Sequence, residues 1–448
     1  MRKIKYTLLR LQEGIKELRR NKWKNIFTVL YIAFAFFIWS KRFQALPIKE
    51  SFRFYNIYQG FMNILTIAFI TITSILLIKR IGTPFSNAKV RHALSRIGFS
   101  NRIGEIPILL ARYKGDNPQV EIMEFDNCGL SNKEWQDKRL AIETALNLHI
   151  VQVKQGKTLR RTILQVVSGN RSLPEKIHWK KHYLIENDYL LVLGESLLGQ
   201  ETINLMRSIH LLIGGSTGSG KSVLLKLLLI QCIQKGMIVH IFDFKGGIDY
   251  PTVWREHVNI TTELTDTLEV LSEIENEYKR RNILLSNSDY SNIDEYNEHT
   301  QMKLPRIIVA FDEVAEALDK TGLSKEQKEL VTKIESKLFT LARLSRACGI
   351  HLFLATQRPD ATVLSGQIKS NIDMRICGKA DSILSKIILD TTDADGMIPK
   401  DAQGTFLTNS NVKFQAYLFD EKELLHKDNA TQTLENHSPN DHLEHTNP

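Results

Sequence analysis

Apolar and polar positions divide the chain into three stretches with different periods. The first holds two unbroken apolar runs, residues 26–39 and 61–78, the second closed by Lys79 and Arg80. At about 1.5 Å of helical rise per residue, the second run crosses most of a ~30 Å hydrocarbon core. The first is shorter and spans only with local thinning and snorkelling by Lys24, Lys41 and Arg42. It does not read as a cleaved signal peptide, because Trp39-Ser40-Lys41-Arg42 lacks the small residues of a cleavage site. Reading the second as a buried soluble helix leaves so long an apolar run unexplained. The pattern predicts two transmembrane helices, at about 25–40 and 60–78, within an N-terminal region 1–80.

Residues 81–100 are polar, carry Gly82, Pro84 and Gly98, and read as a linker. Segments 106–113 and 120–125 then alternate apolar with polar around Gly115-Asp116-Asn117-Pro118, the pattern of a hairpin. Ser131-Asn132-Lys133-Glu134 has capping-box form ahead of Trp135, Ile142 and Leu146, and strand candidates follow at 149–153 and 162–167. A small α+β domain is expected at about 101–170, inside a region 81–183 with no recognisable chemistry.

From residue 184 short apolar strands alternate with helices. Strands are expected at 210–213, 237–242, 306–311, 351–355, 374–377 and 414–419. That alternation predicts an α/β domain over 184–425 with a mainly parallel sheet, whose ligands sit at the carboxyl ends of the strands. The tail 426–448 is rich in Asn, His, Asp and Thr and reads as disordered; His437, His442 and His445 read there as solvated side chains rather than a metal site.

Charge orients this plan. With 59 Lys+Arg against 50 Asp+Glu among 448 residues, the net charge is +9 and the isoelectric point about 9.1, which suits nucleic acid or an anionic membrane face. Basic residues crowd the segment before residue 26 and the one after 78, so both termini and the large domain are expected on the cytoplasmic side of a cell membrane, with 41–59 a short external loop. Cys128, Cys232, Cys348 and Cys377 are scattered without a C-x-x-C pair, which argues against a disulfide framework or a cysteine zinc site.

The chemistry gathers at the predicted strand ends. Leu211-Leu212-Ile213 runs into Gly214-Gly215-Ser216-Thr217-Gly218-Ser219-Gly220-Lys221-Ser222 and then an apolar helix, matching G-x-x-x-x-G-K-[ST] from Gly215 to Ser222. Glycines let backbone N–H groups turn inward on a phosphate, Lys221 reaches the β and γ phosphates, and the Ser222 hydroxyl can hold Mg²⁺. The strand before Asp312-Glu313 delivers two carboxylates: Asp312 to hold Mg²⁺ through water, Glu313 to orient or deprotonate an attacking water, which hydrolysis needs and binding alone does not. Asp243 ends another strand, ahead of Phe244-Lys245-Gly246-Gly247; Gln357 follows a third, where an amide can sense the γ-phosphate. Arg346 lies at the end of a helix predicted at 338–347, and in a ring such an arginine can reach a neighbour's nucleotide, with Arg343 competing for the role. Leu364-Ser365-Gly366-Gln367 faintly echoes the signature loop of transport cassettes but follows the Asp-Glu strand instead of preceding it, and is discounted.

Together these residues resemble the FtsK/SpoIIIE branch of the FtsK–HerA superfamily of DNA-pumping ATPases. The resemblance runs through the cradle from His210, Asp243-Phe-Lys-Gly-Gly247, Glu277-Tyr-Lys-Arg-Arg281 with Tyr296-Asn297, Phe311-Asp-Glu-Val-Ala315, Arg346 to Leu352, Ala355-Thr-Gln-Arg-Pro359, Ile368 to Ile372 with Arg375, and Ile388-Leu-Asp390. It implies a RecA-like P-loop fold, ATP with Mg²⁺, a hexameric ring of identical subunits with DNA threaded through its pore independently of sequence, and Arg346 acting in trans. Two spans, a short adaptor and a polar tail in place of a winged-helix reader are similar to coupling proteins of Gram-positive conjugative elements, which implies relaxosome and transfer-channel partners. Chromosome or spore-type segregation, a protein-secretion ATPase and a non-hydrolysing membrane tether are the rival expectations.

Overall fold

The computed structural model describes residues 2–20, 22–44, 53–84, 86–357 and 366–426, divided between two compact units, 1–171 and 172–448. The polar tail beyond 426 and its histidines lie outside the described residues, as do Arg358-Pro359 and Leu364-Ser365.

The first unit begins with helices α1 (Arg2–Arg20), α2 (Lys22–Lys41) and α3 (Tyr55–Ile81). Of the described helices, α3 is long and apolar enough to cross a membrane; the apolar part of α2, Asn25–Lys41, is shorter. The Tyr31 hydroxyl of α2 donates to the Ile70 carbonyl of α3 at 2.8 Å. α1 packs so closely on the end of α3 that a Cβ at Gly14 would lie 2.2 Å from the Ile78 carbonyl oxygen, and one at Gly82 2.1 Å from that of Arg10. Glycine is what these contacts require. The buried Arg10 guanidinium satisfies the Gly82 carbonyl and the Asn87 side chain at 3.1 and 2.8 Å.

The segment expected as a linker contains a helix, α4 (Asn87–Arg96). Its apolar Val90 and Leu94, four apart and therefore on one face, join Phe99 in the core of the following sheet. That sheet has the antiparallel order β1-β2-β4-β3, with β1 Ile108–Lys114, β2 Glu121–Asp126, β3 Leu148–Gln155 and β4 Arg161–Ser168. Helices α5 (Asn132–Asp137) and α6 (Arg139–Leu146) connect β2 to β3, α5 opening on the capping box of Ser131 and Glu134. Trp135, fully buried, packs between Phe99 and Phe125 at centroid distances of 4.8 and 4.9 Å.

The second unit is built on one mixed sheet, ordered β10-β9-β11-β12-β8-β13-β14-β15-β6-β7 among the described residues, with β5 beside β15. The strands are β5 Ile177–His178, β6 Leu190–Ser196, β7 Gly199–Asn204, β8 Leu211–Gly214, β9 Ile238–Phe242, β10 Asn259–Thr261, β11 Ile307–Phe311, β12 Ile350–Thr356, β13 Met374–Cys377, β14 Thr405–Thr408 and β15 Lys413–Leu418. β10 through β13 run parallel; β14, β15, β6 and β7 extend the sheet antiparallel. The mainly parallel expectation is corrected to a mixed sheet. Residues 172–183, grouped by composition with the small domain, enter this unit through the pairing of β5 with β15.

β11 is buried at every position because both sheet faces are covered. Ile307, Val309 and Phe311 face helices α9 (Leu264–Ser286), α12 (Lys325–Leu344) and α14 (Ser382–Leu389). Ile308 and Ala310 face α7 (Lys221–Gln234), α8 (Thr252–Arg255) and α16 (Glu421–His426). α10 (Ile293–His299), α11 (Val314–Leu318), α13 (Gly366–Lys369) and α15 (Asp393–Met397) complete the described helices.

Replacing Trp135 with Ala should cost the first unit about 3–5 kcal/mol, read as loss of amide-exchange protection in β1–β4; unchanged protection would contradict this packing.

Candidate active site

The carboxyl ends of β8, β9, β11 and β12 meet at the loop 215–220. Gly218 and Gly220 hold φ of +74° and +94°, which disfavour any side chain, and a Cβ on Gly220 would also lie 3.1 Å from Gly404. The loop is fastened to the strand beyond: the backbone N–H and the hydroxyl of Ser216 both donate to the Lys379 carbonyl at 2.8 Å.

Lys221 opens α7 and is buried, its Nζ donating to the Asp312 carbonyl and lying 4.0 Å from the Asp312 carboxylate and 3.8 Å from that of Glu313. Glu313 is clamped: Oε1 accepts from the Thr356 hydroxyl at 2.7 Å, and Oε2 from the Gln357 backbone N–H at 2.8 Å. The Gln357 side chain in turn accepts from the Thr217 hydroxyl at 3.0 Å. Asp312 lies beneath the cradle with Lys245 Nζ 3.1 Å from Oδ2.

The charges hold one another in place. Burial pushes Asp312 upward, but Lys221, Lys245 and the Ser222 hydroxyl outweigh it and keep the carboxyl below the ordinary aspartate value. Burial lowers Lys221 against the pull of both carboxylates. Asp243 is raised by burial, with the charges of Asp312 and Asp249 adding to the effect. Three buried polar atoms at this cluster have no hydrogen-bond partner among the described residues: Asp312 Oδ1, Asp243 Oδ2 and Ser219 Oγ. Buried polar atoms are seldom left so. A hydrated divalent cation beside Asp312 and a phosphate in the loop are the kinds of group that satisfy such atoms, so the donor set fits both.

Of the residues expected at the site, Gly215 to Ser222, Asp243, Asp312, Glu313 and Gln357 are gathered at one end of the sheet. Arg346 is not. It sits in a 3-10 turn, Arg346–Cys348, before the amino end of β12, so about 20 Å of strand at ~3.3 Å per residue separates it from Thr356 at the cradle. It is exposed, and no ion pair engages it among the described residues. The rival Arg343 lies over the ring of Phe339 on its own helix, 5.3 Å from the centroid. The turn is rigidly held: Arg281 donates to the Cys348 and Pro305 carbonyls at 3.0 and 2.8 Å, and Ser345 Oγ to the Ile350 carbonyl at 2.8 Å. Thr356, Lys245 and the Lys379 carbonyl were assigned no role from the sequence, although Thr356 and Lys245 stand inside the Ala355 to Pro359 and Asp243 to Gly247 motifs.

Below the turn, His351 Nδ1 donates to the Ile209 carbonyl at 2.8 Å and Nε2 accepts from Arg306 at 3.0 Å, while His210 Nδ1 accepts from the Leu352 N–H at 3.0 Å. Burial pushes His210 down to about 4 and His351 to about 3, so both are neutral struts.

Comparison with known proteins places this geometry. Residues 191–361 match the FtsK/SpoIIIE family. The DNA translocase FtsK of Campylobacter jejuni is 31% identical over 226 residues, 46% of this chain and 22% of that one; that of Helicobacter pylori is 32% identical over 254 residues, 52% of this chain and 28% of that one. The chain thus spans under a third of the length of these curated relatives. The solved pCW3 conjugation coupling protein TcpA, a monomer form with ATPγS, is 33% identical with a TM-score of 0.58, covering 78% of this chain and all of that one. The chain belongs to the FtsK/SpoIIIE family. The FtsK/SpoIIIE match takes in the cradle, Asp312, Glu313 and the Arg346 turn, while β13 to β15 lie beyond it.

Two predictions follow from the buried groups. Below pH 6.5 the unfolded chain protonates His210 and His351 while the folded chain does not, so stability falls with pH from 6.5 toward the folded values of about 4 and about 3. At pH 5 the loss should be about 2 kcal/mol per histidine, seen in urea unfolding, and His351→Asn should remove its share. Gly220→Ala, strained at φ +94°, should weaken nucleotide binding at least tenfold with the rest of the unit still folded; calorimetric titration checks this.

Proposed function

We propose that this chain is a membrane-anchored, ATP-hydrolysing DNA translocase that serves as the coupling protein of a conjugative transfer channel. The observation that carries the hydrolytic part is the clamp on Glu313. Two hydrogen bonds aim this carboxylate beside Lys221, which a binding-only cradle would not need. Gly215 to Ser222 and Asp243 form the nucleotide pocket, Lys221 neutralises the phosphates, and Ser222 with Asp312 would hold Mg²⁺, which supplies charge neutralisation at the phosphates when bound. Glu313 takes the proton of the attacking water, and Gln357, tied to Thr217, reports the state of the phosphate to the loop.

Arg346 completes the site from the neighbouring subunit. Its separation from its own cradle and its exposure favour this over action within one chain, and a head-to-tail interface that closes on itself gives a ring of six. DNA in the pore is gripped through its phosphates, independent of sequence. The anchor consists of α3 with α2 beside it, both crossing, so that the termini and the motor face the cytoplasm. The domain plan is an anchor to residue 80, an adaptor to 183, a motor to 425 and a polar tail. Coupling is favoured over segregation or protein export because likeness extends over the whole of the solved coupling protein chain, whereas the match to the Campylobacter FtsK covers 22% of that relative. Relaxosome and channel proteins are its partners on this reading.

ATP turnover by the full chain in detergent should rise severalfold with DNA and fall at least a hundredfold in Glu313→Gln, which keeps its nucleotide affinity. Turnover indifferent to both single- and double-stranded DNA would refute translocation and favour protein export.

A further inference from the structure

The nucleotide reading assigns no task to Lys245, yet its side chain hydrogen-bonds Asp312: Nζ lies 3.1 Å from Oδ2. Asp312 is fully buried, and Lys245 about one third exposed. On its other side Lys245 Nζ is 3.9 Å from a second carboxylate, Asp249, which is itself half exposed. One ammonium thus stands between two carboxylates, one at the centre of the catalytic cluster and one at the surface.

The backbone around Lys245 is a turn held at both ends. Upstream, the Asp243 N–H donates to the Thr261 carbonyl at 2.9 Å, and Phe244 packs against Phe311. Downstream, Tyr250 is buried edge-on against Trp254 at 5.2 Å. Between them Gly246 and Gly247 hold φ of +81° and +71°, and at Gly246 a Cβ would meet nothing within 4 Å. The Lys245 N–H donates to Asp243 Oδ1 at 3.0 Å and Gly247 is packed against Arg255, so the backbone is held while the partly exposed Lys245 side chain can re-aim through its own rotamers.

We infer that Lys245 is a resident counter-cation of Asp312 that competes with the nucleotide's divalent ion for this carboxylate and passes to Asp249 when that ion binds. This rests on the nucleotide reading of the cradle above. The reason is electrostatic. Asp312 already faces two ammoniums, Lys245 at 3.1 Å and the buried Lys221 at 4.0 Å. A divalent cation beside the same carboxylate is repelled by both, and Lys245, the partly exposed one, is the one able to withdraw. Asp249 offers the withdrawing ammonium a partner within reach of the position it already holds. Arrival of the metal thereby shifts the Lys245 ammonium from one carboxylate to the other.

The test is titration of the full chain in detergent with mant-AMPPNP at a series of Mg²⁺ concentrations, read by fluorescence. Lys245→Met should lower the half-saturating Mg²⁺ roughly fivefold, and Asp249→Asn should raise it by a similar factor. In the double variant the Asp249 effect should vanish, because no ammonium remains to be handed over; a simple loss of negative charge would persist there. Lys245→Arg, which keeps the charge, should stay near wild type. Both positions are partly exposed, so the fold is not at risk. An unchanged or raised Mg²⁺ requirement in Lys245→Met would overturn the inference, as would an Asp249 effect of equal size in both backgrounds. A wild-type chain that binds no analogue at any Mg²⁺ concentration would overturn the cradle reading itself and this inference with it.

Discussion

Burying an ammonium and two carboxylates together at the end of a sheet is unfavourable unless each charge finds a partner, and the second unit is arranged around that requirement. Lys221 and the consecutive Asp312 and Glu313 come from elements separated by a long stretch of chain, and a parallel sheet is what brings such ends to one edge. β8 and β11 are not neighbours; β12 lies between them and supplies the Thr356 hydroxyl and Gln357 N–H that hold Glu313. The flanking helices bury both faces of these strands, keeping water from the cluster and making its electrostatics strong. Replacing any one of the three charges would leave the others underpaired, so the cluster tolerates exchange poorly.

The opposite ends of the same strands do different work. There Arg281, Arg306, His210 and His351 bond backbone carbonyls, a backbone N–H group and one another, and the two arginines also engage the Glu277 and Asp294 carboxylates. The result is a rigid base from which the exposed Arg346 turn projects. One sheet thus carries the glycine-loop cradle at the carboxyl ends of its strands and, at the opposite ends, an exposed guanidinium without an ion pair among the described residues, the polarity that the proposed head-to-tail assembly requires.

Much of this was legible in the sequence because the cradle is local: a strand, a glycine turn and Lys-Ser are consecutive, and the Asp-Glu pair ends a run of apolar residues. The parts that were not legible depend on partners distant in the chain. β14 is short, β7 is largely polar, and β6 is nearly continuous in its burial, so none shows the alternation that marks a half-buried strand. α4 was hidden because Val90 and Leu94 are interspersed with Lys89, Arg91 and Arg96; only the core formed by Phe99 and Trp135 gives that narrow apolar face a destination. The close approach of Gly14 to Ile78 joins residues no local pattern connects. Lys245 was in plain view beside a recognised aspartate, but its contact with Asp312 exists only once β9 and β11 are adjacent.

The claim that the active site is shared between neighbouring subunits is tested most directly by mixing two inactive chains, Glu313→Gln and Arg346→Ala, and measuring ATP turnover on DNA. If Arg346 acts in trans, each variant alone is silent. Mixed assemblies regain part of the wild-type rate, because some sites pair an intact Glu313 with a neighbour's intact Arg346. Silence at every mixing ratio, with mixed assemblies shown to form, would place Arg346 outside the catalytic site and contradict the account.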